Sequence, residues 1–241
     1  MSTKSAQSAM HLFLFPLVNC SNLWYNKDMN GYDFDDTILK GNSMFRFSLF
    51  CAARLPYLVL FIPVLFVASL LRGVRILNKN RYLHMLSWFV ALVPHTEKFA
   101  SKFWDKNMKH IKQWYLDQRR DDDVVISASP QFLAGEACRR LGIRCVGSPL
   151  SPRSARLHGE HCYAENKVDT YKEVFGDTTL ATYYSDSLSD TPMFELAEKG
   201  YFVHGDNVML LYENGQKVVP FKNKRQLRKY MRNENQMKTV E

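Results

Sequence analysis

The chain has 241 residues, 46% of them hydrophobic and 23% charged, enough to bury one full core and a smaller second unit. Eleven glycines and nine prolines are ordinary for that length, so collagen-like and wholly disordered architectures are excluded, and there is no internal repeat. The net charge of +8 is concentrated at the C-terminus, where residues 217–241 carry eight Lys/Arg against Glu234 and Glu241. That distribution reads as a solvated basic terminus, with anionic lipid or nucleic acid as the alternative partners of such a tail, although no nucleic acid is expected for the protein as a whole. Five cysteines, Cys20, Cys51, Cys138, Cys145 and Cys162, contain no C-x-x-C pair and are odd in number, which points to a reducing compartment.

Residues 1–28 differ in character from the rest of the chain. They hold a short apolar run from Leu12 to Val18, broken by Pro16, with no small-residue cleavage site after it. This is a poor secretory signal, and Met29 is an alternative natural start. From Met29 a short strand leads into Asp33, followed by a turn rich in Asp, Thr, Gly and Asn. Helical segments are then expected from about Ser43 to Asp117. A second block opens with Val124, Val125 and Ile126, an apolar run of buried-strand type. Helical spacing over Gln131–Leu141, a strand over Ile143–Val146, a helix over Lys167–Phe175, a strand over Leu180–Tyr184 and a helix over Thr191–Lys199 come next. Strands alternating with helices predict an α/β fold with a parallel sheet covered on both faces. The expected division is a leader over 1–28, a core over 29–43 and 120–215, a helical cap inserted over 44–119, and a basic tail over 216–241.

The inserted block has the most unusual composition. Leu55 to Leu71 is seventeen residues without a charge, interrupted by Pro56 and Pro63, and Tyr82 to Pro94 is a second apolar run after Arg72, Arg75, Lys79 and Arg81. As a helix the first run would reach about 26 Å, short of the roughly 30 Å hydrocarbon core. A span from Leu55 would also put the basic residues on the far side of the membrane from a cytoplasmic core, against the positive-inside bias. Two readings stay open. One is a helical hairpin over residues 55–94 lying in the membrane surface of a cytoplasmic protein; the other is a cap whose apolar faces bury against each other and the core.

Four short segments carry candidate chemistry. Asp33 and Asp35, in Asp33-Phe34-Asp35-Asp36-Thr37, place two carboxylates at the end of a strand, where α/β proteins bind ligands. Ser127 directly follows the apolar strand, and its hydroxyl and nearby N–H groups can hold a phosphoryl oxygen. Lys167 lies at the start of a helix. Asp186 and Asp190 stand four apart after another strand, suited with the first pair to a hard cation held through oxygen. Each has a plainer reading as a turn serine, a surface lysine or a helix cap, but the four occur together and in order, three at strand ends.

This set resembles the haloacid dehalogenase superfamily of phosphohydrolases. Asp33, Asp35 and Thr37 match its first motif, Ser127 its second, Lys167 its third, and Asp186 with Asp190 its fourth, so that the resemblance covers Met29 to about Asn214. It implies a Rossmann-like core, Asp33 as the nucleophile that forms an aspartyl-phosphate, and Asp35 as general acid and then base. It further implies phosphate binding by Thr37, Ser127 and Lys167, and Mg²⁺ held by Asp33, the Asp35 position and Asp186, with Asp190 supporting the site. Asp36 departs from the pattern, since glycine is commonest there, as does Tyr184-Ser185 before Asp186. The order of first motif, helical insertion and second motif is similar to the phosphoserine phosphatase-like branch. More narrowly, the Pro56–Arg72 stretch, the Trp88–His95 segment, Ser127-Ala128-Ser129-Pro130 and Tyr184-Ser185-Asp186-Ser187 look like phosphatidylglycerophosphatase C and its relatives, which act on a lipid phosphate.

The expected activity is therefore Mg²⁺-dependent hydrolysis of a phosphomonoester, soluble or lipid. A non-catalytic lipid- or nucleic-acid-binding protein is the rival. His158-Gly159-Glu160-His161-Cys162 lacks a second ligand pair for zinc, and no G-x-G-x-x-G or P-loop sequence is present.

Overall fold

The computed structural model describes residues 29–73, 88–152, 161–221 and 223–238. The leader, Cys20, Arg75 to Arg81, the first part of the second apolar run (residues 82–87) and His158 to Glu160 lie outside the described residues. Strand β1 (Asn30–Tyr32) sits mid-sheet, followed by the insertion with helices α1 (Ser43–Ala52), α2 (Ile62–Gly73), α3 (Thr96–Asn107) and α4 (Gln113–Gln118). Then come β2 (Val124–Pro130), α5 (Gln131–Leu141), β3 (Arg144–Ser148), α6 (Glu165–Phe175), β4 (Leu180–Ser185) and α7 (Thr191–Leu196). The chain closes with β5 (Ala197–His204), β6 (Asn207–Glu213), β7 (Gln216–Lys217) and α8 (Lys224–Lys238). The seven strands form one sheet in the order β3-β2-β1-β4-β5-β6-β7. The first five are parallel, and β6 and β7 are antiparallel additions. This is a Rossmann-like α/β fold.

Strand β2 shows why its apolar run is unbroken. Val125 faces a core with Tyr32, Phe34, Phe47, Trp104 and Leu133, while Val124 and Ile126 face a second core with Val146, Tyr171, Phe194 and Phe202. Adjacent residues of a strand point to opposite faces, and a sheet covered on both sides needs apolar side chains at every position. The insertion is more than a cap. Trp104 of α3 is fully buried and its Nε1 donates to the Leu133 carbonyl at 2.8 Å, and Tyr115 of α4 packs edge-on against Tyr32. Its second half therefore covers one face of the sheet.

Two expectations are corrected at the far end of the chain. The helix predicted over Thr191–Lys199 stops at Leu196, because the residues after it are taken by the sheet: Ala197 and Lys199 register with Leu180 and Thr182 of β4. Gly200 permits this tight junction, since a Cβ there would stand 2.8 Å from that of Phe194 on α7. The basic stretch after Gln216 also adds β7 to the sheet and forms α8, whose Leu227 and Met231 are buried in the second core.

Candidate active site

The connection from β1 to β2 runs to one side of β1, and β4 lies on its other side. The crevice beyond the C-terminal ends of these strands is where an open α/β sheet binds ligands. Asp33 follows β1 there, with its N–H donating to the Tyr184 carbonyl at 2.8 Å, so the strand ladder fixes its backbone. Its Oδ1 accepts from Lys167 Nζ at 2.8 Å. The same ammonium lies 2.7 Å from Asp190 Oδ2, which also accepts from Ser185 Oγ at 2.7 Å. Lys167 is 2% exposed, and it holds Asp33 and Asp190 together.

Burial pushes the Asp33 carboxyl up to about 7, against the pull of Lys167 and with repulsion from Asp190 adding to it. Burial also works against the Lys167 charge, but Asp33, Tyr183 and Asp190 outweigh it and hold the ammonium protonated well above its ordinary range. The cluster thus sets two buried carboxylates against one cation.

Asp35 points elsewhere. Its Oδ1 accepts from the Ser43 N–H at 2.7 Å, at the N-terminus of α1, and its Oδ2 accepts from Ser129 Oγ at 2.6 Å and Asn42 Nδ2 at 3.2 Å. Burial raises its pKa, and the bonds from Ser129 and Ser43 moderate the rise. Asn42 caps α1 by accepting from the Phe45 N–H, which places the positive end of the helix against this carboxyl group. Asp36 adopts a left-handed φ of 56°, and that explains why glycine would suit the position. Its carbonyl and that of Gly205 accept from Lys112 Nζ at 2.6 Å each, so a lysine ties the turn after Asp35 to the β5–β6 connection.

The other expected residues are placed at the same edge. Ser127 Oγ accepts from the Ser129 N–H at 3.1 Å, leaving its own O–H to donate. Thr37 Oγ1 accepts from the Asp186 N–H at 2.9 Å and so joins the turn after β1 to the end of β4. Asp186 Oδ2 lies 2.9 Å from Lys224 Nζ. Sequence spacing misses Ser43, Asn42, Ser129, Lys112, Tyr183 and Lys224. For Asn42-Ser43 a signal exists, an N-cap residue before an apolar-periodic run; for Lys112 and Lys224 there is none.

The donor set suits a hard divalent cation: carboxylates and a backbone carbonyl, with a net negative charge in the buried cluster. Among the described residues Asp33 and Asp186 each commit one carboxylate oxygen, Asp33 Oδ1 and Asp186 Oδ2, and keep the other free. The Asp35 carboxylate is engaged by α1 and Ser129, which leaves its backbone carbonyl as the available ligand. Asp190 likewise commits one oxygen, Oδ2, which accepts from Lys167, Tyr183 and Ser185 and so stands as the partner of the buried lysine. No three His, Cys, Asp or Glu side chains are already gathered around one point among the described residues.

The family model of haloacid dehalogenase-like hydrolases matches residues 31–195. The chain belongs to that family. No curated protein matches it. Among solved structures it is similar to a protein of unknown function from Bordetella pertussis Tohama I, at a TM-score of 0.61 and 16% identity over 72% of this chain and 88% of that one. It is also similar to a phosphoserine phosphohydrolase-like protein from Francisella tularensis subsp. tularensis SCHU S4, at 0.51 and 14% identity over 72% and 85%. At these identities the likeness is one of fold. This hydrolase places its motif residues on the loops that leave β1 and β4, within β2 at Ser127, and in the first turn of α6 at Lys167.

Proposed function

We propose that this hydrolase is a phosphatase that cleaves phosphomonoesters through an aspartyl-phosphate on Asp33. The observation that carries the reading is Asp33 at the crevice, with one oxygen on Lys167 and the other free. Asp33 attacks phosphorus and the ester P–O bond breaks, while the Asp35 carboxyl, whose pKa burial raises, gives its proton to the leaving oxygen. Asp35, now a carboxylate, takes a proton from water as that water attacks phosphorus. The bond to Asp33 breaks, and inorganic phosphate leaves. Lys167 and the Ser127 hydroxyl offset charge on the phosphoryl oxygens. Mg²⁺ held by Asp33, the Asp35 carbonyl and Asp186 would supply further charge neutralisation when bound.

A lipid phosphate is the substrate class we favour within this reading, for one reason. On α1, the turn after it and α2, Phe45, Leu49, Leu60, Phe66 and Leu70 are exposed by 50% or more, as is Trp88 beyond them. Monomeric soluble proteins seldom expose apolar side chains in such density, and a membrane surface or a lipid tail would cover them. No helix among the described residues is long and apolar enough to cross a membrane, so the contact would be at the surface.

The test is phosphate release with and without Mg²⁺, from phosphatidylglycerophosphate in micelles and from soluble esters including phosphoserine. Release that needs Mg²⁺ and vanishes in Asp33→Asn is expected, with the lipid preferred. Full activity in a folded Asp33→Asn protein would reject the nucleophile, and preference for a soluble ester would reject the lipid.

A further inference from the structure

Lys224 opens α8 and reaches the crevice, where its ammonium binds Asp186. Arg228 and Arg232 follow it at four-residue intervals, so the three cations form a row along one side of the helix over about 12 Å. The row lies beside Leu227 and Met231, whose burial fixes which side of α8 meets the protein. Neither arginine forms an ion pair among the described residues. Arg228 Nε is buried with no hydrogen-bond partner, a loss of roughly 1–3 kcal/mol for a donor taken out of water. A solvated basic face would not incur that loss. The row also passes the C-terminal end of β5: the His204 imidazole is held below its usual range by burial and then by Arg228, Arg232 and Lys224.

We infer that the Lys224, Arg228 and Arg232 row is a subsite for a second anionic group on the phosphomonoester substrate, with Arg228 as its specificity-determining residue. The inference rests on the phosphatase reading and narrows its substrate class to esters that carry a carboxylate or phosphodiester within a few bonds of the reacting phosphate. Arg228 presents a planar fork of donors that matches either group. Lys224 neutralises Asp186, so the row meets the incoming anion without a bare carboxylate at its inner end.

Three soluble ligands of graded charge test it by calorimetry on the full chain without Mg²⁺, so that no turnover competes with binding: glycerol 3-phosphate, with no second anion; 3-phosphoglycerate, with a carboxylate; and glycerophosphoglycerol phosphate, with a phosphodiester. The wild-type protein is expected to bind at least one of the two ligands that carry a second anion about tenfold or more tighter than glycerol 3-phosphate. The ligand preferred of the two identifies the group the row takes. Arg228→Gln should level the affinities, and Arg228→Lys should keep part of the preference, with unchanged circular dichroism in both. Equal binding of all three by wild type, or a preference that survives Arg228→Gln, would overturn the subsite while leaving the phosphatase reading in place. Failure to bind any of them, together with no phosphate release from any ester, would remove both.

Discussion

Lys167 Nζ stands 2.8 Å from Asp33 Oδ1 and is almost wholly buried, so the residue expected to bind phosphate is also what allows the expected nucleophile to be buried at all. Removing the cation leaves Asp33 and Asp190 facing each other without water. Lys167→Met should therefore cost about 3–5 kcal/mol of stability, read from urea unfolding midpoints. Adding Asp190→Asn should recover part of it, because one of the two uncompensated carboxylates is then neutral. Independent, additive effects of the two substitutions would show that the bridge is not what binds them.

Asp35 sits apart from that cluster, held by Ser43 and Ser129, and its role is testable by leaving group. Asp35→Asn should lower turnover of an alkyl phosphomonoester about 10²–10⁴-fold. With p-nitrophenyl phosphate, whose phenolate leaves without a proton, the first step should survive. Rapid mixing should then show a burst of about one nitrophenolate per enzyme, followed by slow turnover, because the base for the second step is missing. Equal loss on both substrates with no burst would mean that Asp35 only orients the loop.

How much of this can be read from the chain alone differs by element. The helix over Gln131–Leu141 and the strand opening at Val124 follow from local periodicity, which burial on one or both faces imposes directly. The four acidic motif positions are legible because their spacing places them at strand ends. The expected Thr191–Lys199 helix overruns because Ala197 to Lys199 suit either state, and pairing with β4 decides the matter. Strands β6 and β7 depend on the same tertiary pairing, through a turn at Gly205 with φ of 64°. The reach of Lys224 to Asp186 crosses 38 residues, and no periodicity records a contact of that kind. The docking of α8 rests on Leu227 and Met231, two apolar positions in an otherwise basic stretch.

Asp123 gives a pH-dependent stability. It precedes β2, fully buried; Oδ2 accepts from the Arg120 N–H, while Oδ1 has no hydrogen-bond partner. Burial, only partly offset by that bond, pushes its carboxyl up to about 6. Because this lies above the unfolded value of about 4, the folded state holds a proton that the unfolded chain has already lost. The destabilisation is absent below about pH 4, grows as pH rises, and is complete once pH passes the folded pKa. Asp123→Asn should stabilise the protein more at pH 8 than at pH 5, by about 1 kcal/mol. Denaturant midpoints at the two pH values check this, and a difference that does not change with pH would refute it.

Gly147 on β3 supports the site from behind. A Cβ there would stand 2.8 Å from the Ser129 carbonyl oxygen and 3.0 Å from the Cα of Gln131. These are backbone atoms and cannot swing away as a side-chain tip would, so Gly147→Ala must displace the segment whose Ser129 hydroxyl binds Asp35. The expected cost is about 1–3 kcal/mol, accompanied by a fall in kcat. Gly142 provides the matched comparison. It ends α5 with φ of 73° and has open space around its Cα, so Gly142→Ala should cost about 1–2 kcal/mol through backbone strain and leave kcat unchanged. Equal effects of the two substitutions on kcat would mean that activity follows global stability, and the Ser129–Asp35 contact would then have no separate part in turnover.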